Sequence, residues 1–232
     1  MSTDASHLAG GDLALVRLLQ LVSPALPIGA FAYSQGLEQA VADGWVSDEA
    51  EAEAWLLGLL ASSLGTLDVP VLARLIAAWR ARDAAAIARW SAWLWACRPT
   101  REARAEDRQL GAALARVLET LGIDEAKAWT THLHVTHPTM FALGAVRFEV
   151  PLAPALAGYA FSWAEAITSA AVRLVPLGQN AGQRVLAAAG RAIPAVVERA
   201  LEIPNDELGS AAPGQAIASA RHETLYSRLF RS

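Results

Sequence analysis

The sequence has one cysteine and one lysine, and each of these low counts limits the kinds of site and contact that the protein can form. A single cysteine, Cys97, excludes an intrachain disulfide framework and a multi-cysteine metal site. Its neighbours, RWSAWLWACRP, favour a small buried hydrophobic residue. Because Lys127 is the only lysine, the other basic residues are arginines, whose planar guanidinium suits ion pairs and interfaces.

Charged residues are also scarce, at 18% of the chain, against about a quarter in an average soluble domain. The net charge is −4 and the isoelectric point is near 5.7, so the basic footprint of a nucleic-acid-binding protein is missing. Hydrophobic residues reach 54%, which is more apolar surface than a monomer of this size needs to hide. We therefore expect large interfaces with partner proteins.

The apolar excess does not predict a membrane protein. The apolar runs are interrupted before they reach the length of about 20 residues that spanning requires. The first residues, MSTDASHLAGGDLALVRLLQ, carry Asp4 and Asp12 and lack a basic start followed by an apolar run, unlike a secretory signal. We expect a cytoplasmic protein with no membrane segment.

Hydrophobic residues recur at helical spacing along most of the chain. The spacing predicts a first helix over residues 12–22, which ends before Pro24. Side chains suited to N-caps predict four further helix starts, at Ser47, Asp68, Asp83 and Thr100. The helix that starts at Ser47 is expected to run to about Leu64, and shorter helices are expected at DEAKAWTTHL and HPTMFALGAV.

The last third of the sequence contains the candidate for the central helix. Residues 154–175 are apolar on nearly every side, as expected of a helix surrounded by others. Pro194 is expected to kink or split the helix that follows. Residues 203–214 are rich in turn residues and predict a long loop, after which a last helix reaches the end of the chain.

No segment alternates in the manner of a strand, so the predicted fold class is all-α. The length fits one domain over residues 1–232. We predict a single-domain bundle of roughly eight to ten helices around a hydrophobic central helix. Residues 1–11 are expected to be a flexible N-terminus, and residues 203–232 to be a loop followed by a C-terminal helix.

One short motif suggests a catalytic serine. The sequence AYSQG differs by one residue from the G-x-S-x-G nucleophile elbow, and Asp206 and His222 follow Ser34 in the order of an α/β-hydrolase. An elbow requires a strand that runs into a sharp turn, whereas a proline-containing loop precedes Ser34. We favour a loop or capping role for Ser34, and a serine hydrolase stays an alternative.

A second motif suggests a metal site. His132, His134 and His137 form H-x-H-x-x-H, and imidazole suits zinc, copper and nickel. On a helix, residues two apart point to nearly opposite sides, whereas an extended HLH segment would bring His132 and His134 together. We favour buried or capping histidines, with a direct nickel-binding carrier as the alternative. The glycines of PLGQNAGQR lack the Gly-Lys-Ser/Thr ending of a P-loop, so the chain is not a nucleotide hydrolase of that class.

Three separate blocks carry a resemblance to a known family. The segments LLQLVSPALPIGAFAYSQGLEQAV, FSWAEAITSAAVRLVPLGQNAGQRVL and IASARHETLYSRLFRS together resemble the UreF family of urease accessory proteins. The resemblance is looser between residues 70 and 150, where DRQLGAAL replaces the family's Gln-Met-Gly run.

The resemblance implies a function without catalysis. The family is all-α and dimerises, and it joins a UreD/UreH-type scaffold protein and the UreG GTPase in delivering nickel to the urease apoprotein. The chain is then an assembly factor and not an enzyme. It holds no stably bound cofactor, because nickel is in transit and GTP and magnesium belong to the partner GTPase.

Residues can be assigned where the motifs match. The family's first signature corresponds to a contact and structural element made of Pro27, Gly29, Phe31, Tyr33, Ser34 and Gly36. Glu38 is the one residue in this stretch able to bind a cation, which makes it a candidate for the metal passage. The alternative is a carboxylate at a helix start whose oxygens are satisfied by backbone N–H groups.

Two further sets are assigned to partner surfaces. The GTPase-facing set is Arg173, Gln179, Gln183 and Arg184, although Arg173 has the alternative of pairing inside the core. The set that docks on the scaffold protein is Tyr226, Arg228, Leu229, Phe230 and Arg231, with Leu229 and Phe230 as apolar anchors. We expect this tail to be mobile in the isolated protein and to become ordered upon binding.

Overall fold

The computed structural model describes residues 11–232, and within that range the chain is helical without any strand. Its ten α-helices are α1 (Gly11–Leu21), α2 (Leu37–Ala42), α3 (Glu49–Leu59), α4 (Val69–Ala81), α5 (Ala84–Ala96), α6 (Arg101–Thr120), α7 (His137–Arg147), α8 (Leu152–Leu174), α9 (Gln179–Glu202) and α10 (Pro213–His222). The predicted all-α bundle is confirmed. The flexible segment expected over 1–11 lies outside the described residues, except for Gly11, where α1 begins.

The longest helix was predicted as two. Helix α3 continues through a π-helical segment, Leu60–Asp68, into α4, so one helical stretch runs from Glu49 to Ala81. The predicted end near Leu64 and the predicted N-cap at Asp68 are wrong. Asp68 has helical φ and ψ of −68° and −50° and caps no N–H group, because its carboxylate pairs with Arg98 instead.

This same stretch, Glu49–Ala81, is long and apolar enough to cross a membrane by length and composition alone. The stretch is nevertheless interrupted by Asp68 and Arg74, so it contains no uninterrupted apolar run of about 20 residues. Buried residues make up 61% of its most apolar part, and a core helix of a soluble protein passes the same test. Its hydrophobic residues form part of the protein core, where Leu72, Leu75 and Ile76 are almost fully buried.

The other helix starts follow local rules. Asp83 accepts a hydrogen bond from the N–H of Ala86, and Thr100 accepts one from the N–H of Ala103, as predicted. The cap of α3 is Asp48, one residue after the predicted Ser47. The segment DEAKAWTTHL forms only a 3-10 turn, Asp124–Trp129.

Helix α8 is the centre of the bundle, as the sequence predicted, because it contacts α1, α2, α3, α4 and α9. The helix with the most complete burial is α7, in which every residue from Pro138 to Ala145 is buried. Helix α9 runs unbroken through Pro194, so the expected split does not occur. Packing of this long helix along α3 and α8 compensates for the missing N–H group.

The C-terminal part departs most from the prediction. Helix α10 ends at His222, and the expected helix to the end of the chain is wrong, because residues 223–232 follow the surface without regular structure. Before α10, the loop is tied to the π-helical segment. The N–H of Gly209 donates to the carbonyl of Thr66 at 3.2 Å, and the N–H of Ala211 donates to the carbonyl of Ser62 at 2.8 Å.

A glycine at the contact between α6 and the start of α7 provides a test of this packing. A Cβ at Gly111 would lie 2.6 Å from the carbonyl carbon of Thr136, and backbone cannot yield as a side chain can. We expect Gly111→Ala to lower the free energy of unfolding by about 1–3 kcal/mol, measured by urea denaturation. The control is Gly190→Ala in α9, where a Cβ meets nothing within 4 Å. This substitution should raise the free energy of unfolding by about 0.5–1 kcal/mol, because alanine favours the helix over glycine. Equal effects of the two substitutions would contradict the close approach.

Candidate functional site

The last ten residues, 223–232, cross the body of the protein, and we call them the C-terminal strap. The carboxylate of Glu38, in the first turn of α2, holds the middle of the strap. Its Oε1 accepts from the N–H of Leu229 at 2.6 Å, and its Oε2 accepts from the N–H of Phe230 at 3.0 Å. Burial alone would raise the pKa of Glu38, but the N–H of Leu229, the His222 ring and the N–H of Phe230 together hold the pKa below its usual value.

A buried histidine continues this contact. His222, at the end of α10, has no exposed surface, and its Nε2 lies 3.0 Å from Oε2 of Glu38. Its Nδ1 lies 2.7 Å from Oε2 of Glu102, whose other oxygen accepts from the guanidinium of Arg228. An imidazolium would donate to both carboxylates, whereas a neutral ring donates from one nitrogen only. Two acids and two bases therefore join α2, α6, α10 and the strap.

The end of the strap is buried and packs against the loop that precedes α2. Ser232 is 1% exposed, and its main-chain oxygen accepts from the N–H of Ser34 at 2.8 Å and from the Ser34 hydroxyl at 2.6 Å. The Ser232 hydroxyl donates to Oε2 of Glu106 at 2.7 Å. Ser34 thus binds the strap, while Glu106 lies where the strap meets the interior.

Beneath the end of the strap lies a cavity of about 460 Å³. Most of its wall is apolar, but one side carries charged groups. The guanidinium of Arg98 contacts both Asp68 and Asp107, and the other oxygen of Asp107 accepts from the N–H of His137 at 2.8 Å. Burial lowers the pKa of the His137 ring to about 4, so the ring is neutral at physiological pH.

Glu106 is the carboxyl group of this cavity whose charge depends on pH near neutrality. Burial, together with the nearby Asp107, raises its pKa to about 7 against the hydrogen bonds from Gln35 and Ser232 and the charge of Arg98. The Gln35 amide donates to Oε1 of Glu106 at 2.6 Å. Glu106 therefore changes charge at the contact between the cavity and the strap.

The loop before α2 has an unusual backbone that positions these groups. Gln35 has a φ of +53°, a backbone angle that residues other than glycine rarely adopt. Its amide is fixed at both ends, because its oxygen also accepts from the indole N–H of Trp163 at 2.8 Å. The next residue, Gly36, has a φ of +87°, and a Cβ there would lie 3.0 Å from the backbone nitrogen of Ser219. Gly36 is thus required for α10 to approach the loop.

Comparison with known proteins decides the family. The UreF family model matches residues 46–190. The chain is 48% identical over 232 residues to the urease accessory protein UreF of Alkalilimnicola ehrlichii, covering all of both chains. It is 49% identical over 221 residues to that of Pseudomonas putida strain W619, covering 95% of this chain and 99% of the relative. The chain belongs to the UreF family.

The first UreF signature lies around the strap and the cavity. Tyr33 donates from its hydroxyl to the Gln109 amide oxygen at 2.6 Å, and Phe31 lines the cavity. Gly29 has a φ of +81° at the start of a short 3-10 turn, Ala30–Ala32. Pro27 lines a separate groove between α1 and the end of α6. Within the signature, the side chains of Ser34 and Glu38 hydrogen-bond to the backbone of the strap.

The arrangement required for a serine hydrolase is absent from the described residues. Ser34 is fully buried, and its hydroxyl donates to the main chain of Ser232 and not to a histidine. Both ring nitrogens of His222 face Glu38 and Glu102. Asp206 belongs to an exposed 3-10 turn. The order of these residues in the sequence therefore does not reflect a catalytic triad.

The three histidines of the H-x-H-x-x-H motif are divided between two environments. His132 packs on Trp129 and His134 packs on Trp95, with ring centroids 4.5 Å and 5.0 Å apart. His137 begins α7 and lines the cavity. Across residues 11–232, no group of three or more His, Cys, Asp or Glu side chains is placed to hold a metal ion. The packing favours the structural interpretation of these residues.

The strap bears on two expectations. The first concerns the tail, which packs on the body through contacts with Glu38, Glu102 and Ser34, while its mobility in the isolated protein stays a prediction. Phe230 is 5% exposed and lies beneath the guanidinium of Arg173, so it anchors the strap internally and is not available to a partner. Leu229 is 64% exposed and Tyr226 is fully exposed, together with Arg228 and Arg231.

The GTPase-facing set is exposed in the structure. Arg173 lies in the last turn of α8, and Gln179, Gln183 and Arg184 lie in the first turns of α9. Arg184 makes a surface ion pair with Glu49 at 2.6 Å. The assignment of these residues to a partner stays a prediction.

Sequence reasoning missed half of the site. It selected Ser34 and Glu38 but not Gln35, Glu102, Glu106 or Ser232, and it considered His222 only as a catalytic base. Glu102 and Glu106 had the appearance of solvated helix carboxylates, since REARAEDRQ contains alternating charges at i, i+4 spacing. The available signal was the position of both acids on one face of α6, four residues apart.

The buried carboxyl of Glu106 predicts a pH effect on stability. Glu106 binds its proton more tightly in the folded chain than in the unfolded chain, so its contribution is complete below the unfolded value of 4.5 and is lost as pH rises through about 7. The unaltered chain should therefore lose stability between pH 5 and pH 8, whereas Glu106→Gln should not. The free energy of unfolding of Glu106→Gln, relative to that of the unaltered chain, should be higher at pH 8 than at pH 5 by on the order of 2–3 kcal/mol. Guanidinium unfolding at both pH values measures this difference, and a difference that does not change with pH would refute it.

Proposed function

We propose that this chain acts in urease maturation as a helical scaffold that bridges a UreD/UreH-type accessory protein and the UreG GTPase. In this role it modulates GTP turnover and nickel delivery into the urease apoprotein. The relatives compared above are named urease accessory proteins, which supports the maturation role. The observation that carries the bridging role is a strap whose backbone is fixed while two large apolar side chains, Tyr226 and Leu229, are exposed on it.

The outer face of the strap is suited to the scaffold partner. Tyr226 and Leu229 are large exposed side chains, and Ile217 on the adjoining α10 is 52% exposed. Arg228 and Arg231 flank them, which gives the pattern of apolar anchors with a charged rim seen in protein interfaces. Since Glu38 already orders the backbone, binding would not need to order a free tail, and this lowers the entropic cost of association.

The GTPase partner is assigned to a second surface. Arg173, Gln179 and Gln183 are exposed near the turn between α8 and α9 and have no side-chain hydrogen bond within residues 11–232. Arg173 covers the buried Phe230, so this surface adjoins the strap. A complex that engages the strap would therefore also contact the edge of the GTPase-facing surface.

In this proposal nickel is cargo, and GTP and magnesium are bound by the partner GTPase. Both oxygens of Glu38 accept hydrogen bonds from the strap, and this favours the role of a carboxylate satisfied by backbone N–H groups over that of a nickel ligand. A homodimer is part of the proposal as well. Four large apolar side chains on α1 are 53–59% exposed and provide surface for a further interface, namely Leu13, Leu15, Val16 and Leu19.

The scaffold contact is tested by the double substitution Tyr226→Ala/Leu229→Ala. We expect the dissociation constant for a purified UreD/UreH-type protein to increase at least tenfold, because both exposed anchors are removed while Phe230 and the Glu38 contacts remain. Leu133→Ala is the matched control, since this leucine is 60% exposed and lies outside the strap. Unchanged affinity in the double variant, measured by biolayer interferometry, would remove the strap from this interface.

The GTPase contact is tested by Gln179→Ala/Gln183→Ala. Both side chains are exposed on α9, so the fold should not change, but capture of UreG by the scaffold-bound protein should fall several-fold. Glu198→Ala, at an exposed position farther along the same helix, is the control. If both variants capture UreG equally well, this assignment is wrong, whereas the scaffold contact is unaffected by the result.

A further inference from the structure

One wall of the cavity is formed by the C-terminal segment alone. The end of the loop before α10, the inner side of α10 and the last residue of the strap all line the cavity, through residues such as Ala211, Gln215, Ser219 and Ser232. The opposite walls come from α1, α6, α8 and the loop before α2. Residues 210–232 thus cover the cavity as one continuous piece of chain, which we call the C-terminal lid.

The lid is fastened mainly by polar contacts. Its buried hydrophobic residues are Ala218 and Phe230, whereas α4 and α7 each bury eight residues. Buried apolar area makes the core costly to open, while polar contacts can be replaced by water when a segment separates. Segments with few buried apolar contacts open at a free energy below that of global unfolding.

Three carboxylates on the body make the principal attachments. Glu38 accepts from the strap backbone and contacts His222, and Glu102 contacts His222 and Arg228. Glu106 accepts from the Ser232 hydroxyl. These acids belong to α2 and α6, so at these three attachments the body supplies the acceptors, whereas at Ser34 the body donates to the main-chain oxygen of Ser232.

From this arrangement we propose that residues 210–232 form a lid that opens as a unit when the Glu38 attachment is released, and that its opening exposes the charged side of the cavity. The closed state is the one described above. In the open state, water reaches Arg98, Asp107 and Glu106 without unfolding of the core. The lid therefore controls access to the interior of the protein.

The only cysteine of the chain, Cys97, lines the cavity and is partly buried in the closed state, so its reaction rate relative to that of the unaltered chain reports on lid opening. The experiment measures the rate at which Cys97 in the full-length protein reacts with Ellman's reagent, for the unaltered chain and for Glu38→Gln. The amide of glutamine offers one acceptor in place of two, so Leu229 or Phe230 loses its partner. We expect the reaction to be at least tenfold faster in Glu38→Gln. Glu49→Gln, which removes a surface ion pair outside the lid, should react at the original rate.

Hydrogen exchange separates lid opening from global unfolding. In Glu38→Gln, faster exchange is expected for the amides of residues 213–232, while the amides of α7 keep their protection. Faster labelling of Cys97 together with intact α7 protection supports the lid. An unchanged rate of labelling, or a faster rate that occurs only together with loss of α7 protection, would overturn it.

Discussion

The carboxylate of Glu38 is the contact on which the C-terminal architecture depends. It receives two successive backbone N–H groups of the strap and faces the ring of His222, so three separate parts of the chain meet at two oxygen atoms. Hydrogen bonds to a charged acceptor are stronger than neutral ones, and they are stronger still away from bulk water. The same oxygens set the position of Leu229 and Phe230, and hence which side of the strap faces solvent.

The position of Glu38 depends in turn on a strained loop. Gln35 and Gly36 both have positive φ, at +53° and +87°, and turn the chain sharply into α2. The conformation of Gln35 is unfavourable by itself, and its side-chain contacts with Glu106 and Trp163 compensate for it. The loop, the cavity and the strap are consequently coupled, because Glu106 contacts both Gln35 and Ser232. A substitution at Gln35, Glu106 or Ser232 should therefore change the conformation of the other two residues.

The features that the sequence predicted are those fixed by neighbouring residues. The caps at Asp83 and Thr100 follow from side chains three positions from their N–H partners, and the long apolar pattern of α8 identified the centre of the bundle. Asp68 was misassigned because its partner Arg98 lies 30 residues away, in the connection between α5 and α6. For Glu38 the separation from its strap partners is 191 and 192 residues. The sequence offered backbone N–H groups as one alternative for the partners of Glu38, but local pattern could not show that these groups belong to Leu229 and Phe230.

The strap serves two surfaces with alternate residues. Leu229 points outward and Phe230 inward, and the backbone between them is held by a single carboxylate. A partner that recognises Tyr226 and Leu229 in this arrangement binds the closed lid more tightly than the open one, and by linkage it stabilises closure by the same free energy. A partner that instead pulled the strap from Glu38 would open the cavity at the moment of binding. The geometry at Glu38 therefore couples what binds outside the protein to what can enter it.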